Sequence, residues 1–150
     1  IEPLAYHRTA ASASESVKQW FAAAWHLSRL IIRQEDDQKL ADLYKRRGIA
    51  HLKLFHWNDA IADFSKALQL FHADRHSERL SLHQVRADAY AGRAFRSNNL
   101  DDWSRAANDC ESAAQLARSA GNRIQEARSL QLLLKSQVNA DLSSGGMTLV

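Results

Sequence analysis

Apolar residues recur at intervals of three and four along most of this chain, the period of helices with one buried face. Trp20, Ala23, Ala24, Leu27, Leu30 and Ile31 mark an amphipathic helix over residues 15–33. Glu35-Asp36-Asp37 breaks that pattern and supplies an N-cap. Leu40, Leu43, Tyr44, Gly48 and Leu52 carry a second helix over 38–54, and Ala60, Ile61, Phe64, Ala67, Leu68 and Phe71 a third over 58–71. A polar connection over 72–77 leads to a fourth helix, 78–97, with Ser77 as its cap and Leu82, Val85, Ala89, Tyr90 and Ala94 along it. A fifth helix follows the Asn98-Asn99-Leu100-Asp101 turn, with Asp101 or Asp102 as cap, and runs to Ser119. After Gly121, Asn122 with Gln125 three later forms a capping-box start for a sixth helix, carried by Ile124, Ala127, Leu130, Leu133 and Leu134. Residues 1–14, an Ala/Ser stretch behind Pro3, read as a flexible lead, and Ser-Ser-Gly-Gly makes 141–150 a disordered tail.

The pattern also repeats at longer range. A tryptophan followed three residues later by alanine occurs as Trp20/Ala23, Trp57/Ala60 and Trp103/Ala106. Four residues after each alanine stands Leu27, Phe64 or Cys110. The last two copies share more: Tyr44, Arg47 and Gly48 align with Tyr90, Arg93 and Ala94, and Asp63 with Asp109. Units of this length are supersecondary pairs that bury their apolar faces only by stacking on neighbours. The predicted fold is therefore all-α, about six helices in stacked antiparallel pairs forming one domain over 15–140. Trp57, Phe64, Tyr44 and Tyr90 are expected in its core.

Residues 41–68, ADLYKRRGIAHLKLFHWNDAIADFSKAL, resemble a tetratricopeptide repeat. Bulky Tyr44 is followed by small Gly48 where two helices cross, Ala60 and Ala67 are small where the partner approaches, and Phe64 fills the space between. Residues 87–114 are a weaker copy, 17–31 resemble only a second helix, and 122–138 a lone first helix or solvating cap. Departures from the family pattern are the turn glycine, replaced by Phe55 and Asp101, and the proline after each second helix. The resemblance implies a right-handed solenoid acting as a non-catalytic scaffold for a protein or peptide. QWFAAAWHLSRLI together with RRGIAHL and WNDAIADF is more loosely similar to helical regions attached to planctomycete-type serine/threonine kinases and beta-propeller proteins. This gives the alternative of an accessory region of a larger signalling enzyme.

In the tetratricopeptide family, one face of the first helices lines the concave surface. Carried onto this chain, that face presents Lys45, Ile49, Leu52 and Lys53, then Ala91, Phe95, Asn98 and Asn99. The peptide-binding set is Lys45, Ile49, Lys53, Phe95, Asn98 and Asn99: apolar side chains for contact, amides for a peptide backbone, and ammonium groups for a carboxylate. A clamp for acidic chaperone tails is not met, because Ile49 and Gly92 stand where asparagine and arginine are needed.

Charge and chemistry add little to this picture. The net charge of +3 is mild, and the Lys45-Arg46-Arg47 triplet reads as a solvated face. Arg86, Arg93, Arg96, Arg105, Arg118, Arg123 and Arg128 form a possible basic stripe, but acidic residues interleave and the aromatics occupy core positions. Nucleic-acid binding is thus the weakest alternative. His72 and His76, four apart, flank a connection, and His51 and His56, five apart, straddle a turn; neither pair predicts a metal. No metal, cofactor or catalytic constellation is expected. Cys110, the single cysteine, reads as a buried small hydrophobe, and its having no partner fits a reducing, cytoplasmic setting. No apolar run reaches membrane-span length. The chain lacks an initiator methionine and is expected to be a processed form or part of something longer. At its start, Trp20, Phe21 and Trp25 form an end expected to meet another copy of the chain or an upstream segment.

Overall fold

The computed structural model describes residues 3–145. It is all-helical, with no strand among the described residues. Seven helices follow one another: α1 (Leu4–Ser16), α2 (Trp20–Arg33), α3 (Asp37–Lys53), α4 (Trp57–Leu70), α5 (His76–Ser97), α6 (Leu100–Ser119) and α7 (Arg123–Ser143). The chain divides into two compact units, Ile1–His72 and Ala73–Val150. In the first, α1 packs on α2, α2 on α3 and α3 on α4; in the second, α5 packs on α6 and α6 on α7.

The additional helix is α1, where the sequence pattern predicts a loose lead. Its buried face is His7, Ala11 and Ser14, spaced four and three apart. Small residues of high helix propensity let α1 lie close to α2, but they carry none of the bulky periodicity that announces a helix. Ala11 joins Leu27, Leu30 and Leu43 in a core cluster flanked by Leu4 and Ile31. At the other end, α7 continues through Ser143 into the expected tail, and residues 146–150 lie outside the described residues.

The three hairpins share one turn. Lys18 between α1 and α2, Phe55 between α3 and α4, and Asn98 between α5 and α6 all have positive φ, at 60°, 60° and 52°. In each, the next residue donates its N–H five residues back: Gln19 to Ser14 O (2.8 Å), His56 to His51 O (2.9 Å) and Asn99 to Ala94 O (3.3 Å). This is the Schellman cap, built in these three without glycine; the α6–α7 connection builds it on Gly121 (φ 69°), with Asn122 N–H donating to Ala117 O at 2.8 Å. Side-chain caps fall on Asp36 (from Lys39 N, 2.9 Å), on Asn99 rather than Asp101 or Asp102 (from Asp101 N, 3.0 Å), and on Asn122 (from Gln125 N, 3.1 Å). Helix α5 begins at His76 with Arg75 at its N-cap, not Ser77.

The first unit's α3–α4 crossing is closed by Gly48 against Phe64. A Cβ on Gly48 would stand 2.6 Å from Phe64 Cε1 and 2.8 Å from Cδ1, and Phe64 is fully buried. Alanine gains about 1 kcal/mol of helix propensity over glycine. Overpacking an immobile ring costs about 1–3 kcal/mol. Gly48→Ala is therefore expected to destabilise the first unit by about 1 kcal/mol, read as a lowered urea midpoint of helicity at unchanged slope. Tyr44, Trp57 and Tyr90 are half-buried beside fully buried Phe64, with the Arg47 guanidinium over the Tyr44 ring and that of Arg86 over the Tyr90 ring.

Candidate binding groove and its electrostatic frame

Buried ion pairs fix the hairpin registers. In the first unit, Asp63 on α4 is gripped by Arg47 on α3 through Nε–Oδ2 (2.8 Å) and Nη2–Oδ1 (2.7 Å). Arg47 Nη1 donates to Ser28 Oγ on α2 at 3.1 Å, tying three helices together. In the second unit, Asp109 on α6 receives Arg86 through Nε–Oδ2 (2.7 Å) and Nη2–Oδ1 (2.7 Å), with His83 Nδ1 at 2.9 Å. Two helical turns away, fully buried Asp102 receives Arg93 (2.8 and 2.7 Å) and Arg105 Nη1 (2.9 Å). Tyr90 stands between, its ring centroid 5.9 Å from the Arg86 guanidinium carbon and 5.6 Å from that of Arg93. Hydrogen bonding to Arg93 holds the Asp102 carboxyl below its ordinary range, against the opposing effect of burial.

This ladder corrects the repeat alignment. The partner of Asp109 is Arg86, not Arg93, although Arg93 is the sequence counterpart of Arg47. Ala87, not Ala94, stands in the cluster with Cys110 and Ala106. The cause lies at the turn: Asn98 follows Arg93 about one helical turn sooner than Phe55 follows Arg47, and α6 begins about one turn ahead of Trp103 whereas α4 begins at Trp57. Pairing in the second hairpin is thus displaced by one heptad from the apparent match.

A cavity of about 340 Å³ opens in the second unit. Ala87, Asp88, Ala91 and Phe95 line it from α5, Trp103 and Cys110 from α6, and Leu132, Lys135, Ser136 and Asn139 from α7. Small Ala87, Ala91 and Cys110 are among the side chains that line it. Beyond it, Gln84 on α5 donates to Gln125 Oε1 (3.0 Å) and Ser129 Oγ (3.2 Å), fastening α5 to α7. Phe95 remains 83% exposed at the rim. The Cys110 thiol is pushed up to about 11, first by burial and then by Asp109 and Asp88, so it is a neutral packing group.

The predicted binding residues are distributed unevenly. Phe95 and Ala91 line this groove. Asn98 occupies the left-handed turn with its side chain exposed, and the Asn99 side-chain oxygen caps α6. Lys45, Ile49 and Lys53 lie on α3 in the first unit, with Lys45 and Ile49 half-buried and Lys53 exposed. Lys135, Asn139 and Leu132 were missed because α7 read as a cap; their three- and four-residue spacing beside Ser136 was the available signal. Of the basic stripe, Arg86, Arg93, Arg105 and Arg118 are spent on carboxylates.

At the chain's start, α1 supplies an upstream neighbour for α2. His7 and His26 meet through their Nδ1 atoms at 3.0 Å, one donating and one accepting, amid Tyr6 and Trp25. Even so, Phe21 (73%), Trp25 (43%) and Ile32 (73%) stay exposed on α2. No described helix is long and apolar enough to cross a membrane.

Compared with known proteins, the chain matches no family model, no curated protein and no solved structure.

Proposed function

We propose that this chain is a non-catalytic interaction scaffold whose second unit holds an extended peptide between α5 and α7. The observation that carries this reading is Phe95, 83% exposed at the rim of a cavity lined in part by small side chains. A large exposed ring beside an apolar hollow marks a contact surface. Asp88 and Lys135 give the walls opposite charges, and the Asn139 amide offers both donor and acceptor to a peptide backbone. The occupant that fits is a peptide with one bulky apolar side chain for the hollow and a carboxylate for Lys135. The resemblance to tetratricopeptide repeats, whose first helices line the binding surface, supports the same face. The paired arginines leave less free positive charge for a nucleic acid.

The test is selection of peptides from a random library on the full chain, followed by titration. Phe95→Ala is expected to weaken selected peptides by on the order of thirtyfold, as for a central aromatic anchor. Its helicity should not change, since the ring is mostly outside the core. Lys135→Glu should change which peptides are selected. Peptides that bind both variants as tightly as the parent would refute this groove.

A further inference from the structure

The α3–α4 turn gathers three metal-ligating side chains outside the groove. His51, His56 and Asp59 each offer a ligand atom, and these atoms lie within 4.8 Å of one another. Backbone geometry causes the gathering. The Schellman bond from His56 N to His51 O joins the two positions whose side chains normally make the cap's hydrophobic contact. Here both are histidines, with ring centroids 5.9 Å apart. His56 is also the N-cap of α4 but makes no side-chain capping bond, and Asp59 follows in the first turn.

A second observation points to a ligand. Nδ1 of His51 is buried and has no hydrogen-bond partner. A buried ring nitrogen without a partner costs free energy unless something satisfies it. The ring's other nitrogen, Nε2, faces Asp63 Oδ2 at 3.9 Å. At that separation the carboxylate makes no hydrogen bond to the ring, and its oxygens receive Arg47.

We propose that His51, His56 and Asp59 bind a zinc-type divalent ion, with water completing the coordination. Two imidazoles, one carboxylate and an open fourth position form a recurring donor set for zinc. Metal–ligand bonds of about 2.0–2.1 Å place tetrahedral ligand atoms about 3.3 Å apart. Closing to that separation falls to His56 and Asp59, both exposed and able to change rotamer.

The test is calorimetric titration of the full chain, free of any affinity tag, with Zn²⁺ in a non-chelating buffer, and Co²⁺ as a spectroscopic probe. The expected result is one ion per chain and the visible absorption of four-coordinate cobalt. His56→Ala and Asp59→Ala should each weaken Zn²⁺ binding by on the order of tenfold or more. Both residues are exposed, so helicity should be retained. A His72→Ala/His76→Ala variant should bind as the parent does. Absence of binding, equal binding by His56→Ala and Asp59→Ala, or loss of binding in the His72/His76 variant would overturn the site.

Discussion

Arg86→Met is expected to destabilise the second unit by about 3–5 kcal/mol, the usual cost of breaking a buried ion pair from one side. Asp109 is buried and receives two bonds from Arg86 at 2.7 Å. Methionine fills much of the same volume, so the loss is electrostatic rather than a cavity. His83 remains at 2.9 Å, but it contributes one hydrogen bond where the guanidinium made a bidentate contact. An effect of this size is a large part of a domain's usual 5–15 kcal/mol. Urea unfolding followed by far-ultraviolet circular dichroism measures it. The diagnostic partner is the double variant Arg86→Met/Asp109→Leu, which removes both charges. It should recover most of the loss, since apolar replacement of a whole buried pair is often neutral. If the single variant costs less than about 1 kcal/mol, on the scale of an exposed pair, Arg86 is not holding the hairpin register.

Helices with bulky periodic faces were legible in the sequence, because Leu27, Phe64 and Leu82 recur with small residues where helices cross. The α1 helix was not: His7, Ala11 and Ser14 pack by closeness rather than bulk, and an Ala/Ser segment looks the same exposed or buried. The second hairpin's register was also hidden. The turn at Asn98 comes about one helical turn earlier than the aligned residues imply, which moves the antiparallel pairing by a heptad, and a heptad restores the same helical face. Arg86 and Arg93 therefore satisfy the pattern equally, and only three-dimensional pairing separates them. The groove was half legible. Phe95 and Ala91 follow from the face presented by first helices, whereas Lys135 and Asn139 required knowing that α7 returns beside α5. Asn98 and Asn99 also serve the backbone, one as the left-handed turn residue and one as the cap of α6, a role that asparagine at a helix boundary commonly takes. His51 and His56 were set aside because they straddle a turn, and the spacing alone does not say where a turn of unknown geometry puts two side chains. The Schellman turn ends the helix between them and brings them back together.

Phe64→Ala is expected to cost the first unit about 3–5 kcal/mol, the range for emptying a fully buried aromatic site. The ring is completely enclosed, and the backbone of Gly48 rests directly against its edge. Asp63 precedes it and carries the Arg47 pair, so collapse into the void is resisted by a charged contact that cannot shift freely. The same geometry predicts the sign of a coupling. In the parent chain, a methyl group on residue 48 would meet Phe64 carbons at 2.6 and 2.8 Å, with Asp63 Cβ next at 3.2 Å. In the Phe64→Ala chain those ring atoms are gone, and the added methyl partly fills the hole they leave. Gly48→Ala should then become stabilising, by about the 1 kcal/mol of its helix propensity. The double-mutant cycle should accordingly return a favourable interaction of about 2 kcal/mol, large for residues in direct contact but within the observed range. Simple additivity of the two substitutions would mean that Gly48 is small for a reason other than the Phe64 ring.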